Sequence, residues 1–263
     1  MNKPLKFLAF ETSTEMLSVA LGDASQTWHH QGVGGANASA QLIPVIHDLL
    51  AKAQWQWPDL TALIVGKGPG SFTGLRTACS VAQGLALGAH LTVIPVDTLL
   101  AVAEDARWQK YESVGQKAEN FSVGVVMDAR MGEVYMGAYT WSLEARSWQT
   151  VLAPQVGAPE KMAQLLRGLS LPKLMLAGNG FEVSKDCFPL QVFHTEQGPV
   201  RCEPAMPNAL ALLRLAPALW MTGQAVAPEL VQPLYIRDKV AQTTLEREAL
   251  QLAKAAAVFK KGV

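Results

Sequence analysis

Cysteine is scarce in this chain: Cys79, Cys187 and Cys202 are the only three among 263 residues, and they lie far apart with no C-x-x-C pair. An odd, scattered set excludes a disulfide framework and fits a reducing compartment. An excess of charge of one sign is also missing, with 22 Lys plus Arg against 22 Asp plus Glu. A protein that grips nucleic acid on its own needs a basic footprint to neutralise phosphates. Here Lys67, Arg76, Arg130, Arg237 and Lys239 are scattered and read as solvated surface charges. Long apolar runs are lacking too. The opening "MNKPLKFLAFETST" has an apolar run of four, short of the roughly 7 to 15 that a signal-peptide core needs. The stretch "NALALLRLAPALWM" is interrupted by Arg214 and Pro217 and falls short of the ~20 residues that span a bilayer. A cytoplasmic protein without membrane contact is expected. None of His29, His30, His47, His90 and His194 forms an H-x-x-x-H pair, there is no G-x-S-x-G elbow, and Ser71 has no histidine near it in sequence. Neither a metal site, nor a cofactor, nor a catalytic residue is therefore assigned.

What is present is core-forming material. Apolar residues make up 49% of the chain and charged residues 17%, which suits a globular protein, and the length suits two lobes. "KFLAFETST", "LSVALGD" and "TWHHQGV" read as three strands, the first two joined by a hydroxyl-rich turn. A helix capped by Asn37 follows to about Ala53, then the strand "ALIVG", a helix from Ser71 to Gly88, the strand "LTVIPV" and a helix opened by Asp97 or Thr98. The order βββαβαβα gives a mixed sheet with helices on its faces, an α/β arrangement. The polar stretch "RWQKYESVGQKAEN" reads as the crossing to a second lobe. There "VGVVMDARMGEVYMGAY" repeats the strand, acid, turn, strand pattern, with Asp128 in the place of Glu11. "PEKMAQLLRGL", "KLMLAGNG" and "PNALALLRLAPALWMTG" read as helix, strand and helix, with Pro217 expected to bend or end the last. The expected division is 1–107 as first lobe and 108–225 as second, the helix at 207–222 packing back on the first. A C-terminal segment, 226–263, carries a helical tail from Thr243.

The stretch "GKGPGSFTGLRT", Gly66 to Thr77, lies between a strand and a helix, where backbone N–H groups and a helix dipole can hold an anion. It is neither a Walker loop, since Leu75 and Arg76 follow Gly74, nor a dinucleotide fingerprint. Gly68, Pro69, Gly70, Ser71, Phe72, Thr73 and Gly74 therefore form either an anion seat or a tight structural turn. Glu11 and Asp128, with Thr12, are weak nucleotide candidates between the lobes, each equally readable as a turn residue.

Two helices carry a different pattern. Ser80, Gly84 and Gly88 recur every fourth residue and line one helical stripe. Interior glycines cost roughly 1 kcal/mol each against alanine, which close approach of another backbone would compensate. In the preceding helix, Leu42, Ile43, Val45, Ile46, Leu49, Leu50 and Ala53 cover an arc of about 160°, wider than one core face needs. Leu42, Val45, Ile46, Leu49 and Leu50, together with the stripe, are the expected partner surface.

With "FETSTEMLSVALGD", "LIVGKGPGSFTGLRTACSVAQGLALG", "MDARMGEVYMGAY" and "PLYIRD" in this order, residues 5 to 238 closely resemble the TsaB (YeaZ) family. The resemblance implies a two-lobed actin/Hsp70/sugar-kinase-like, ribonuclease H-like fold. It implies a non-catalytic scaffold subunit in the synthesis of N6-threonylcarbamoyladenosine at position 37 of tRNAs that read codons beginning with A. The partners it implies are TsaD, the catalytic paralogue, and the ATPase TsaE, with a homodimer when TsaD is absent and tRNA contacted only through the complex. Relatives usually have Asp in place of Glu11, and many have His at the position of Ala38. The alternative is a stand-alone nucleotide-binding ATPase or peptidase-like enzyme of the same fold.

Overall fold

The computed structural model describes residues 4–116, 119–184, 186–188, 194–195, 198–199, 202–203 and 205–237. The helical tail expected from Thr243, and Lys239, lie outside the described residues.

The chain builds two five-stranded sheets of the same plan. In the first, β1 (Phe7–Glu11), β2 (Met16–Gly22) and β3 (Thr27–Val33) form an antiparallel meander, and β4 (Ala62–Gly68) and β5 (Thr92–Asp97) extend it in parallel on the β1 side, in the order β3-β2-β1-β4-β5. In the second, β6 (Phe121–Asp128), β7 (Val134–Ser142) and β8 (Ser147–Gly157) repeat the meander. β9 (Leu174–Ala177) then lies parallel to β6, beyond the short strands β10 (His194–Thr195) and β11 (Gly198–Pro199) comes β12 (Cys202–Glu203), and the order is β12-β9-β6-β7-β8. The echo of Glu11 in Asp128 has a structural basis: each residue ends the central strand of its sheet.

Helices occupy equivalent places. α1 (Ala38–Ala53) and α4 (Pro159–Arg167) follow the meanders. α2 (Phe72–Ala89) and α5 (Gly180–Val183) follow the first parallel strands. α3 (Thr98–Arg107) and α6 (Ala209–Met221) follow the last. In the first lobe the order βββαβαβα is the one read from the sequence; in the second, β8, α5 and β12 are not among the elements read from it. β1 and β4 are buried at almost every position because helices cover both faces of their sheet. α1 and α2 close one face, on Leu8, Phe10, Leu17, Val19, Leu63 and Val65. α6 closes the other, setting Leu212 and Leu215 against Phe7, Ala9 and Ile64. α3 faces the opposite way and packs Leu99, Val102 and Ala106 onto Phe121, Val123 and Val125 of the second sheet. The two helices are in contact, so α3 and α6 form the layer between the sheets.

One local expectation is corrected and two gain detail. Asn37 precedes α1 but makes no capping hydrogen bond, because a 3₁₀ turn over Gly35–Asn37 leads into the helix. Pro217 does not end α6, which continues to Met221. The crossing after α3 is not a free polar linker: it begins as a π-helical turn, Trp108–Glu112, with Tyr111 buried against Phe121 and Arg107 buried in an ion-pair network.

Candidate functional site

The glycine-rich loop is held down on the turn after β1. Ser71 N donates to Ser13 O at 2.7 Å, and the Thr12 hydroxyl donates to Gly74 O at 2.8 Å. The glycines exist for this approach: a Cβ on Gly70 would stand 2.6 Å from Ser13 Cβ, and one on Gly74 only 1.8 Å from Thr12 O. Gly68, at φ +114°, takes a conformation that side chains disfavour, and its N–H goes to Thr98 Oγ1. Ser71 caps α2 by accepting from Gly74 N. The N–H groups of Gly68, Ser71 and Gly74 are thus spent inside the protein, and the anion seat read from the sequence is in this respect a structural clamp.

Two of the three nucleotide candidates are sealed beneath that clamp. Thr12 and Glu11 are each 1% exposed. Glu11 accepts from Ser13 N at 2.5 Å, and its other oxygen, without a partner among the described residues, lies against Gly66, where a Cβ would sit 1.7 Å from it. Burial pushes the Glu11 carboxyl up from its ordinary range, against the pull of the Ser13 and Thr12 hydrogen bonds. This corrects the reading of Glu11 and Thr12 as residues facing a ligand.

Asp128 does reach a cavity. Its N–H donates to Asn179 Oδ1 and its carboxylate accepts from Arg130 N at 2.8 Å. The cavity, about 400 Å³, opens between the lobes, with Ser13 to Met16 and Pro69 to Phe72 on one side and Met127 to Arg130 on the other. An exposed ion pair from Arg130 to Glu15, at 3.2 Å, crosses its mouth. The segment Leu234–Arg237 closes it as a strap. Leu234 N donates to Lys67 O, the Tyr235 hydroxyl accepts from Arg76, the Tyr235 ring lies against Phe72, and Arg237 reaches Glu133 at 2.6 Å and Ala129 O at 3.0 Å. The motif "PLYIRD" contributes this strap, a role that could not be read from the sequence because its partners lie over a hundred residues away. Among the described residues, no group of three His, Cys, Asp or Glu could hold a metal ion, and no helix is long and apolar enough to cross a membrane.

The helical surface divides into two. Leu42, Ile46, Leu49 and Leu50 are buried in the chain's own core, under the first sheet, and Val45 is half-buried against it. They do not form a partner surface: the wide apolar arc of α1 is core packing, and the side of α1 left open carries Ile43, Pro44 and His47 instead. Ser80, Gly84 and Gly88 are exposed, and a Cβ on either glycine would meet nothing within 4 Å. Their neighbours Leu87, 68% exposed, and Leu230, 64% exposed on the turn packed against α2, are apolar and uncovered. Leu230 belongs to no sequence periodicity that would have singled it out.

Comparison with known proteins matches this architecture. The family model of TsaD, tRNA N6-adenosine threonylcarbamoyltransferase, matches residues 23–244. The tRNA threonylcarbamoyladenosine biosynthesis protein TsaB of Haemophilus influenzae is 33% identical over 242 residues, 90% of this chain and 95% of that protein. TsaB of Escherichia coli is 32% identical over 237 residues, 90% of this chain and 96% of that one. Among solved structures, YeaZ from Pseudomonas aeruginosa is 29% identical, with a TM-score of 0.71 over 88% of this chain and 99% of that one. The fold is the two-lobed actin/Hsp70/sugar-kinase-like one expected.

Proposed function

The chain belongs to the TsaB (YeaZ) family, and from that premise we propose that it serves tRNA threonylcarbamoyladenosine biosynthesis as the non-catalytic subunit that docks a TsaD-type threonylcarbamoyltransferase. In this reading TsaD transfers the threonylcarbamoyl group to N6 of adenosine 37, TsaE supports turnover, tRNA is met through the complex in the cytoplasm, and a second copy of the chain occupies the same surface when TsaD is absent.

One observation carries the proposal. α2 holds Gly84 and Gly88 in its interior on a surface where a Cβ added to either would meet nothing within 4 Å among the described residues. Each glycine costs about 1 kcal/mol in helix propensity, and the described residues offer no compensating contact. A partner helix lying against the bare backbone supplies one, and Leu87 and Leu230 give it an apolar border. The partner surface is accordingly Ser80, Gly84 and Gly88 with Ile43, Leu87 and Leu230, and not the buried face of α1.

Co-purification with TsaD from the same organism tests this. The wild-type chain is expected to form a stoichiometric complex and to restore transfer to tRNA, and Gly84→Leu to lose both while unfolding at the wild-type urea midpoint or above. A complex indifferent to Gly84→Leu would sink the docking surface. The stand-alone enzyme reading draws on the inter-lobe cavity, where Asp128 is the one acid of the original candidates that reaches solvent. Turnover of ATP or peptide by the purified chain alone, abolished by Asp128→Ala, would replace the subunit reading with that one.

A further inference from the structure

A second cavity, about 480 Å³, shares no lining residue with the cleft between the lobes. It lies where β5, α3, α6 and the turn from β7 to β8 meet. We propose that this cavity is a binding site for a small planar monoanion, an aromatic carboxylate, with its charge on Arg146 and its ring against Trp148.

The walls set the ligand class. Ile94, Val96, Leu100, Leu215 and Leu219 make one part apolar, while Ser147, Thr150, Thr222 and Gln224 make another polar but uncharged. A ligand with an apolar body and one polar end fits that division, and the volume is in the range of small-molecule sites. The charges then select its sign. At the floor, Glu104 is saturated. Its two oxygens accept from Arg107 Nε and Nη2 at 2.8 Å, from Arg214 Nε at 3.0 Å and from Trp148 Nε1 at 3.0 Å. Arg107 and Arg214 are held rigid and largely neutralised by these contacts, and by Glu112 and Asp105. Arg146, on the exposed turn, has no ion pair among the described residues. Arg107 and Arg214 are thus paired with Glu104, Glu112 and Asp105, and the other lining carboxylate, Asp97, accepts from the Tyr139 hydroxyl. Arg146 alone of the lining arginines is left to meet a ligand's charge, and a monoanion matches that single cation where a di- or triphosphate would exceed it.

Two tryptophans supply the aromatic preference. Trp148 is half-buried and packs edge-on against Phe121 and Trp141, with centroids 5.7 and 5.4 Å away. Trp141 lines the same cavity beside it.

The test uses 2-naphthoate and its uncharged isostere 2-naphthamide, titrated calorimetrically into the full chain while the indole N–H signals of Trp141 and Trp148 are followed by NMR. Saturable naphthoate binding that moves both indole signals is expected, with the amide roughly tenfold weaker or worse. Arg146→Ala, at an exposed position that leaves the Glu104 network intact, should weaken naphthoate about tenfold, and Arg146→Lys should recover part of it. No saturable binding, equal affinity for acid and amide, indifference to Arg146→Ala, or binding that leaves both indoles unmoved would each overturn the proposal.

Discussion

Adding one methyl group at Gly74 or at Gly84 separates the two uses of glycine in α2. At Gly74 the new Cβ lies 1.8 Å from Thr12 O, where ordinary contact begins at 3.4 Å, and the obstacle is backbone. The turn after β1 must lift. Doing so breaks or stretches the bonds from the Thr12 hydroxyl to Gly74 O and from Ser71 N to Ser13 O, each worth about 1 kcal/mol. Overpacking adds roughly 1 to 3 kcal/mol, and alanine's helix propensity returns at most about 1. Gly74→Ala should therefore lose about 3 kcal/mol. At Gly84 the same methyl meets nothing within 4 Å, so only the propensity term acts and Gly84→Ala should gain up to about 1 kcal/mol. Urea unfolding of the isolated chain, followed by far-ultraviolet circular dichroism, measures both. Shifts of the same sign, or two variants within about 1 kcal/mol of each other, would refute the assignment of Gly74 to an internal clamp and Gly84 to an open surface.

Burial raises Asp97 to about 6, above its ordinary 3.8, against the lowering pull of the Tyr139 and Leu99 hydrogen bonds. Between those values the folded chain holds a proton that the unfolded chain has lost. Stability from this group thus falls as pH rises through that window, by at most about 3 kcal/mol, and is level above it. Asp97→Asn should remove the fall, and unfolding free energies at pH 4, 5, 6 and 7 that run parallel for variant and wild type would count against it. Glu104→Ala strips Arg107, itself 5% exposed, of its buried partner and should cost about 3 to 5 kcal/mol in the same denaturation assay. Arg130→Ala, which removes only the exposed pair with Glu15, should cost less than about 1.

The difference between what was legible in the sequence and what was not follows the range of the contacts involved. β1, β2, β4 and β5 are covered by helices, so their apolar runs are continuous and readable, and the glycine clamp sits at a strand-to-helix turn that the sequence marks locally. β8 escaped because it is an edge strand, exposed at half its residues and carrying Pro154 in its middle, so no apolar alternation marks it out. The charged residues of α3 look like a solvated face by composition. Glu104 and Arg107 are nevertheless inside, because α3 is one half of the layer between two sheets, and a helix enclosed on both sides must bury whatever it carries there. The apolar arc of α1 failed for a related reason. Periodicity reports that a face will be covered, but not by what, and here the first sheet covers it. The small-residue stripe is the more informative of the two patterns. A greasy face has an internal use in every globular protein, whereas an interior glycine whose Cβ position meets nothing among the described residues has its conformational cost unanswered by them. It is this cost, rather than hydrophobicity, on which the proposed docking of a second protein rests.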